Sequence, residues 1–297
     1  MWLDEFKKLD LKYVKYDEDL KKYNTFKVGS TASVIASPTS LDELLFILNY
    51  VKDYKIEHMI LGNGSNVIFS SKNYDGVIIR LNNLNNITFE DKCVTVDAGY
   101  SLIKLSNELC AKGITGFEFA TGIPGSVGGA IYMNAGAYKS SISEILISVT
   151  YLDDKLKVKT ITNDKCKFGY RDSLFKHNDY IILSAKFKLE KGDVETIKNL
   201  VNDRREKRFS SQPLDLPSAG STFRNPDDTP AWKLIDGVGL RGYRIGGVSV
   251  SEKHSNFIVN DKDGTGEDIY NLVNKIKEEV KKEYNIDLQL EPELINF

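Results

Sequence analysis

One glycine-rich stretch constrains this chain more than any other feature of its sequence. Residues 116–138 read GFEFATGIPGSVGGAIYMNAGAY, with six glycines and one acidic residue, Glu118. Glycine loses more backbone entropy on folding than other residues, so such a cluster indicates positive-φ turns or a close approach to a flat or anionic group. Pro124 stiffens the middle of the stretch. We interpret it as the wall of a cofactor pocket; the alternative is a tightly packed turn without a ligand.

Composition excludes several classes of function. The 297 residues are enough for two or three domains. A net charge of −2 gives no electrostatic case for binding nucleic acid or an anionic membrane. No apolar run approaches the roughly 20 residues of a membrane span, and the charged beginning of the chain is unlike a signal peptide. The three cysteines and three histidines have no metal-ligand or disulfide spacing, so we expect a cytoplasmic protein without a metal.

Helix-like and strand-like segments alternate along the chain, which predicts an α/β or α+β class. We expect a charged helical lead-in over residues 1–23. A Ser40–Glu43 capping box predicts a second helix, and further helices are predicted at 101–112, 193–208 and 266–284. Strands are predicted at 24–35, 59–61, 67–69, 77–81, 93–98, 144–152, 157–161, 180–189 and 286–295.

The loop Gly62-Asn63-Gly64-Ser65-Asn66 joins two of the predicted strands. Such a loop can direct several backbone N–H groups inward and form an anion nest for a pyrophosphate. It is not a dinucleotide-binding fingerprint, because it lacks the third glycine and a strand follows it. No phosphate-binding P-loop motif is present in the sequence. A simple hairpin turn is the alternative interpretation and stays open at this point.

Three more segments carry groups that could do chemistry. Arg171 lies in GYRDS, and an arginine fork suits a carboxylate or an enolate, although most arginines are solvated surface residues. Ser221 follows small residues that would let a substrate approach it. The surrounding motif is not GxSxG and has no nearby histidine, so a Ser-His hydrolase is not supported. Glu293 lies in an apolar C-terminal segment and would need a partner if it were buried.

Taken together, these segments resemble the UDP-N-acetylenolpyruvoylglucosamine reductases, the flavoenzymes of early peptidoglycan synthesis. The resemblance covers nearly the whole chain, and its motifs follow the order of the family. Only a short stretch separates Ser173 from the strand at Tyr180, so the chain resembles the shorter form of the family, without an inserted tyrosine-bearing loop. The motifs are LGNGSNVI (61–68), ATGIPGSVGGAIYMNAGAY (120–138), FGYRDS (168–173), PSAGSTFRNP (217–226), IGGVSVSEKHSNFIVN (245–260) and EPEL (291–294).

The resemblance implies an α+β fold with an FAD-binding part of the vanillyl-alcohol-oxidase type. Its two α/β subdomains would be residues 1–80 and 81–191. A C-terminal α+β domain, 192–297, would bind the UDP-sugar substrate. FAD would be bound noncovalently, by a pyrophosphate nest and a segment bordering the isoalloxazine. The residues implied are Gly62, Asn63, Gly64, Ser65, Asn66, Val67, Thr121, Gly122, Ile123, Pro124, Gly125, Ser126, Gly128 and Gly129.

The same resemblance implies the activity. NADPH would supply a hydride that reaches the enolpyruvyl group through the flavin. Arg171 would stabilise the negative charge that develops on the substrate, and Ser221 would deliver a proton. Glu293 would orient the site and tune its electrostatics. Tyr170, Arg224 and Asn225 would contact the substrate, and neither a metal nor a protein partner is implied.

Two rival functions are kept. The first is an oxidase on the same flavin-binding scaffold, with an alcohol as donor and O₂ as acceptor. The segments at 217–226 and 251–260 argue against it. The second is a nucleotide-sugar binding module without catalysis, which would be colourless after purification and could not be reconstituted with FAD.

Overall fold

The computed structural model describes residues 2–297. The chain divides into two compact units, each with its own apolar core. Because the chain passes from one unit to the other several times, each unit is assembled from separate segments. Unit 1 comprises Met1–Tyr16, Val34–Asn63 and Gly76–Arg205, and unit 2 comprises Asp17–Ser33, Gly64–Asp75 and Glu206–Phe297.

Helices and strands alternate along the described residues. The helices are α1 (Trp2–Lys8), α2 (Leu41–Asp53), α3 (Leu102–Ala111), α4 (Val127–Tyr132), α5 (Ile142–Ile145), α6 (Val194–Ser211), α7 (Ala231–Gly237) and α8 (Gly266–Tyr284). The strands are β1 (Val14–Asp19), β2 (Thr31–Ala36), β3 (His58–Ile60), β4 (Val67–Phe69), β5 (Tyr74–Ile79), β6 (Ile87–Glu90), β7 (Cys93–Asp97), β8 (Ile114–Thr115), β9 (Gly136–Ala137), β10 (Ser140–Ser141), β11 (Leu146–Leu152), β12 (Val158–Thr162), β13 (Ile181–Lys188), β14 (Glu190–Lys191), β15 (Arg244–Ile245), β16 (Val248–Val250), β17 (Ile258–Asn260) and β18 (Glu293–Ile295).

The main sheet of unit 1 is antiparallel, with the strand order β12-β11-β13-β7-β6. Ala185 on its central strand lies opposite Val149 on one side and Val96 on the other, and all three are buried. Such cross-strand apolar pairs stabilise the sheet and fix its register. A second sheet has the order β1-β2-β5-β3 and contains the parallel pair β3–β5, in which Met59 faces Ile78.

Unit 2 has its core around α8. The helix begins at a capping box in which Thr265 and Asp268 each accept a hydrogen bond from the other's backbone N–H, and Asn285 ends it in the left-handed region. One face of α8 is buried, and it consists of Ile269, Leu272, Val273, Ile276 and Val280. The helix contacts the antiparallel sheet β15-β16-β17 and strand β4, which pairs in parallel with β18.

Several predicted elements are confirmed. Helix α8 has the predicted bounds, because its apolar face repeats with the helical period. Helix α3 follows the predicted Ser101, whose hydroxyl accepts a hydrogen bond from Lys104 N, and Gly113 beyond its end has a φ of +73°. Strand β4 also has its predicted bounds. Among residues 2–297, no helix is long and apolar enough to cross a membrane.

Two predictions at the ends of the chain are wrong. The lead-in 1–23 is not one helix: α1 ends at Lys8, and β1 follows with half-buried and exposed residues in alternation. Because charged residues occupy both half-buried and exposed positions of β1, the sequence does not show this alternation in burial. The predicted strand 286–295 is limited to β18. Before it, Leu290 makes only an isolated bridge to Phe223, and Pro292, which lacks the N–H that a strand ladder needs, separates this bridge from β18.

The Ser40–Glu43 capping box is confirmed only in part. Ser40 Oγ accepts the backbone N–H of Glu43 at 3.2 Å. The Glu43 carboxylate instead accepts from Thr39, through its N–H at 2.6 Å and its hydroxyl at 2.9 Å. Ser40 therefore caps the helix as predicted, but the Glu43 carboxylate binds Thr39 instead of the backbone N–H of Ser40.

Candidate active site

The loop at residues 62–66 is not a hairpin turn. Strand β3, before it, pairs with β5, whereas β4, after it, pairs with β18. The hairpin alternative is therefore wrong, because the two strands that the loop joins are not partners. The boundary between the two units lies inside the loop, after Asn63.

The backbone of this loop leaves hydrogen-bond donors available. Among residues 2–297, none of the N–H groups of residues 62–66 donates to another protein group. An N–H group needs a partner, from solvent or from a ligand, when the protein does not supply one. Five such groups in succession suit an anionic ligand. Backbone donors of this kind suit a pyrophosphate, and the role of the loop in binding one stays a prediction.

Gly64 fixes the shape of the loop. Its φ is +64°, and a Cβ at this position would lie 2.1 Å from the backbone oxygen of Tyr23. Its own carbonyl accepts the N–H of Thr25 at 3.0 Å. A side chain would clash with backbone as well as strain the turn, so only glycine fits here.

The loop lies beside the predicted isoalloxazine segment within unit 1. A Cβ on Gly62 would be 2.6 Å from Ser126 Oγ, so a larger residue here would displace the hydroxyl of Ser126. The side-chain amide of Asn63 donates to the carbonyl of Pro124 at 3.3 Å. Two segments that are about 60 residues apart in sequence, both predicted to bind the cofactor, are therefore neighbours.

Helix α4 begins within the predicted isoalloxazine segment. Ser126 is its N-cap, and its hydroxyl accepts the N–H of Gly129 at 3.2 Å. A Cβ on Gly128 would lie 2.9 Å from the Cβ of Ala98, which follows strand β7. Glycine thus lets the first turn of α4 pack directly against the end of that strand.

Glu118, the one acidic residue of the glycine-rich stretch, has a structural task. It is buried, and its carboxylate accepts from the hydroxyl of Thr115 at 2.7 Å and from the N–H of Gly116 at 2.8 Å. It also lines a cavity of about 200 Å³ in unit 1. Residues 121–129 do not line this cavity, so it gives no evidence on the flavin segment. Its other charged lining residues are Glu144, Lys188, Glu190 and Arg204.

Arg171 lies in a strained turn of unit 1. Its φ is +55°, in the left-handed region that non-glycine residues rarely adopt. The turn is closed by hydrogen bonds between Gly169 and Asp172, at 3.0 and 3.4 Å. The guanidinium donates to the carbonyl of Gly136 at 2.9 Å and lies over the ring of Tyr170 at 5.1 Å. Tyr170 itself is exposed.

In unit 2, Ser221 precedes two residues, Thr222 and Phe223, whose backbone is bound by the buried Asn256. Asn256 accepts the N–H of Phe223 with its side chain at 2.9 Å and the N–H of Thr222 with its backbone at 2.7 Å. The Ser221 hydroxyl is half-buried and makes no hydrogen bond to any group within residues 2–297. Gly220 has a φ of +77° with open space where a Cβ would be. The backbone before Ser221 therefore leaves room on that side.

Glu293 is the first residue of β18, opposite Val67 on β4. Its N–H donates to the carbonyl of Asn66 at 2.9 Å, and the Asn66 amide donates to the carbonyl of Glu291 at 3.2 Å. Glu291 in turn donates its N–H to the carbonyl of Thr222 at 2.9 Å. Unit 2 therefore brings the C-terminal segment, the end of the 62–66 loop and the serine segment together.

The predicted substrate residues are partly used for structure. The side chain of Asn225 accepts the N–H of Ala231, the first residue of α7, at 3.1 Å. The backbone N–H of Arg224 donates to the carbonyl of Gln289 at 2.9 Å. These contacts neither support nor oppose a role toward substrate, so the roles of Tyr170, Arg224 and Asn225 stay predictions.

None of the described cysteines is in a disulfide. Burial raises the pKa of the Cys110 thiol to about 12 and that of Cys166 to about 11. Both thiols are thus protonated and poorly nucleophilic near neutral pH. Within residues 2–297, no group of three or more His, Cys, Asp or Glu side chains could hold a metal ion.

Sequence reasoning missed two residues that build the site. Asn134 and Asn256 are buried amides that bind the backbone of the arginine turn and of the serine segment. Both lie inside motifs that carried the family resemblance, at 120–138 and 245–260. Asn134 stands alone as a polar residue in a glycine-rich run, whereas Asn256 follows the polar residues 251–255 and has no such signal.

Known proteins are similar to this chain in sequence and in fold. Residues 32–162 match the family model of an FAD binding domain, and residues 212–295 match the C-terminal domain of UDP-N-acetylenolpyruvoylglucosamine reductase. The reductase of Caldanaerobacter subterraneus subsp. tengcongensis is 42% identical to this chain, over 94% of the chain and 92% of the relative. The chain belongs to the UDP-N-acetylenolpyruvoylglucosamine reductase family. A reductase of Clostridium perfringens is 37% identical over the same shares.

A solved structure agrees with this assignment. The reductase of Thermus caldophilus superposes with a TM-score of 0.80 at 30% identity, covering 95% of this chain and 97% of that one. The predicted α+β class with an FAD-binding part is confirmed. The chain is an FAD-containing oxidoreductase of a family that takes its hydride from NADPH. This assignment argues against both the oxidase and the non-catalytic binding module.

Proposed function

We propose that the chain reduces the enolpyruvyl group of UDP-N-acetylglucosamine enolpyruvate to give UDP-N-acetylmuramate, a step of peptidoglycan precursor synthesis. NADPH is the reductant. The observation that carries this proposal is the run of N–H groups at residues 62–66 that donate to no other group within residues 2–297, with Asn63 bound to Pro124 inside unit 1, in a chain of this family. The location follows as cytoplasmic, since NADPH and nucleotide sugars are compounds of the cytoplasm.

The residues present fit FAD. In this proposal the N–H groups of residues 62–67 hold the pyrophosphate, and residues 121–126 with Gly128 and Gly129 border the isoalloxazine. Glycines at 62 and 64 let the loop lie against Ser126 and Tyr23, which fixes the shape in which it presents its N–H groups. When bound, FAD accepts a hydride from NADPH and delivers it to C3 of the enolpyruvyl group. The high pKa values of Cys110 and Cys166 support noncovalent binding.

Arg171 acts on the charge that appears when C3 receives the hydride. Negative charge then develops at C2 and spreads into the carboxylate of the substrate. A planar guanidinium can donate two parallel hydrogen bonds to such a group. Because a preorganised donor needs no reorganisation during the reaction, the fixed turn around Arg171 favours this role.

Ser221 supplies the proton that C2 needs to complete the reduction. Its hydroxyl is not used by the rest of the described protein, and the segment carrying it is held by Asn256. A serine is a weak acid, so the transfer depends on the strong basicity of the developing enolate. We assign Glu293 to orientation of the site, since its strand binds the end of the 62–66 loop.

The remaining assignments follow the same proposal. Residues 1–80 and 81–191 form the two subdomains of the flavin-binding part, and 192–297 the domain that binds the UDP-sugar. Tyr170, Arg224 and Asn225 contact the substrate. The exposed ring of Tyr170 beside Arg171 is available for such a contact.

The visible spectrum of the purified protein tests the proposal. The protein should be yellow, lose its flavin absorbance with NADPH under anaerobic conditions, and regain it on addition of UDP-N-acetylglucosamine enolpyruvate, with UDP-N-acetylmuramate as the product. Recovery of the colour only on addition of O₂ would contradict the proposal. Oxygen consumption with an alcohol, and no oxidation of NADPH, would favour the oxidase.

A further inference from the structure

The amide of Asn134 is buried and hydrogen-bonded at both ends. Its Nδ2 donates to the carbonyl of Gly169 at 2.9 Å, and its Oδ1 accepts the N–H of Ser143 at 3.1 Å. Its side chain is only 7% exposed, and its φ is +41°. Asparagine tolerates the left-handed region better than most residues. Both ends of this side chain are therefore committed, and one of them binds the turn that carries Arg171.

A second side chain binds the same turn from the other end. The hydroxyl of Ser173, which is 1% exposed, donates to the carbonyl of Tyr132 at 2.7 Å. Asn134 and Tyr132 are close in sequence, so residues 132–136 hold both ends of the turn. The guanidinium of Arg171 then donates to Gly136 at the end of that segment.

The turn needs such anchors. A non-glycine residue in the left-handed region is strained and persists only where the surroundings hold it. Within the turn itself, the hydrogen bonds between Gly169 and Asp172 include a long one of 3.4 Å. Only one backbone bond of the turn has an ordinary length, at 3.0 Å, so the conformation of Arg171 also depends on contacts outside the turn.

We propose that Asn134 and Ser173 are positioning residues for Arg171. They act by holding the backbone of its turn against residues 132–136, and neither needs to touch the substrate. This proposal rests on the function proposed for Arg171. It goes beyond that function, because it assigns the alignment of the guanidinium to an amide and a hydroxyl on either side of the turn.

Asn134→Asp tests the amide with little change of shape. The variant keeps the acceptor for Ser143 N–H but replaces the donor to Gly169 by a second oxygen. Stopped-flow absorbance should show that NADPH reduces the flavin of the FAD-loaded variant at the wild-type rate. Oxidation of the reduced flavin by the enolpyruvyl substrate should slow by about 10²-fold, the scale for misplacing a catalytic group by about 1 Å. The matched control is Asn107→Asp, which loses a bond of the same length, from the side-chain amide to the carbonyl of Ile103 at 2.9 Å on α3 of the same unit, and should leave both steps unchanged.

Ser173→Ala tests the hydroxyl and serves if Asn134→Asp does not fold. It should slow the substrate step in the same selective way. Its control is Ser106→Ala, because the Ser106 hydroxyl also donates to a backbone carbonyl, that of Leu102 at 2.7 Å, in the core of the same unit. Equal loss in both serine variants, or equal slowing of both half-reactions, would overturn the proposal in favour of a general effect on folding.

Double variants separate positioning from independent contributions. If Asn134 acts through Arg171, then Asn134→Asp in an Arg171→Lys background should add little, because the group being positioned is already lost. Multiplicative effects would overturn the positioning role. An Arg171→Lys variant with normal turnover would instead refute the function proposed for Arg171. A normal Asn134→Asp variant beside a crippled Arg171→Lys variant would refute the positioning role alone.

Discussion

The guanidinium of Arg171 donates a hydrogen bond to the backbone carbonyl of Gly136, with 2.9 Å between nitrogen and oxygen. The position of that carbonyl is itself restricted, since a Cβ on Gly136 would lie 2.5 Å from the backbone oxygen of Ser140. One arm of the guanidinium is thus bound to a carbonyl at a position that only glycine can occupy. The glycine-rich stretch serves the arginine turn as well as the proposed flavin site.

Arg171→Lys should be severe although it keeps the positive charge. Lysine loses the planar fork and cannot hold both Gly136 and a carboxylate with the same geometry. We expect a cost of roughly 2.7–4 kcal/mol in transition-state stabilisation, the scale for losing one oxyanion donor. Steady-state turnover with NADPH and the enolpyruvyl substrate measures it. Turnover close to wild type would make Arg171 a structural residue.

Gly64→Ala should impair both folding and FAD content. The new Cβ would meet the backbone oxygen of Tyr23, which cannot move aside as a flexible side chain could. The loss in free energy of unfolding should exceed the roughly 1–2 kcal/mol of a left-handed alanine alone. Gly239→Ala is the matched control: its φ is +70° and nothing lies within 4 Å of the added Cβ. Thermal denaturation and the flavin absorbance of both variants compare them, and equal losses would contradict the clash at Gly64.

Sequence patterns predicted those parts of the fold in which the signal is local. Helix α8 carries five apolar residues at helical spacing between a capping box and Asn285, so its bounds could be predicted. The loop at 62–66 could not be separated from a hairpin in this way. That decision depends on the pairing of β4 with β18 at the far end of the sequence, and no local pattern records such a pairing.

Only part of the candidate site could be predicted from the sequence. Glycine and arginine motifs located the loop and the turn, and the family resemblance supplied their roles. Asn134 and Asn256 were missed, because a single buried amide has no periodicity and its value depends on which carbonyl folding brings to it. The roles of the catalytic and cofactor residues stay predictions that the variants described here would test.

His254 should make unit 2 sensitive to acid. Burial lowers the pKa of its imidazole below the ordinary value of 6.5, and the charge of Arg241 lowers it further. Its Nδ1 accepts the N–H of Asn256 at 3.2 Å, which only the neutral ring can do. The unfolded chain therefore binds a proton more readily than the folded one. The contribution of His254 to stability is complete above pH 6.5 and is lost as the pH falls through its lower folded value.

Thermal denaturation of the FAD-loaded protein checks this sign. Between about pH 7.5 and 5.5, the Tm of the wild type should fall more than that of His254→Asn, whose amide oxygen can accept the same N–H without titrating. Parallel declines in wild type and His254→Asn would assign the acid sensitivity to other groups.

FAD should be released without breaking a covalent bond. The thiols of Cys110 and Cys166 have pKa values of about 12 and about 11 and are buried. No histidine or cysteine lies within residues 62–67 or 121–129. Precipitation of the protein with acid should leave the yellow colour in the supernatant. Colour that remains on the washed pellet would refute noncovalent binding.

The last prediction uses Ser221 to separate the two half-reactions. Hydride transfer from NADPH creates no carbanion, so it needs no proton from this hydroxyl. Reduction of the enolpyruvyl group does need one. Ser221→Ala should therefore lose its flavin absorbance with NADPH at nearly the normal rate. Recovery of the flavin absorbance on addition of the enolpyruvyl substrate should slow by about 10²–10⁴-fold, the usual contribution of general acid catalysis.

Substitutions at the same segment decide which group is the acid. Ser221→Cys should be faster than Ser221→Ala, because a thiol can still donate a proton. The neighbouring hydroxyl of Thr222 is buried and accepts the N–H of Ile258 at 3.2 Å, so Thr222→Val should lower the Tm rather than the rate of the substrate step. If Ser221→Ala slows both half-reactions equally, Ser221 shapes the site instead of donating a proton. If it slows neither and Thr222→Val stops the substrate step, the proton comes from Thr222.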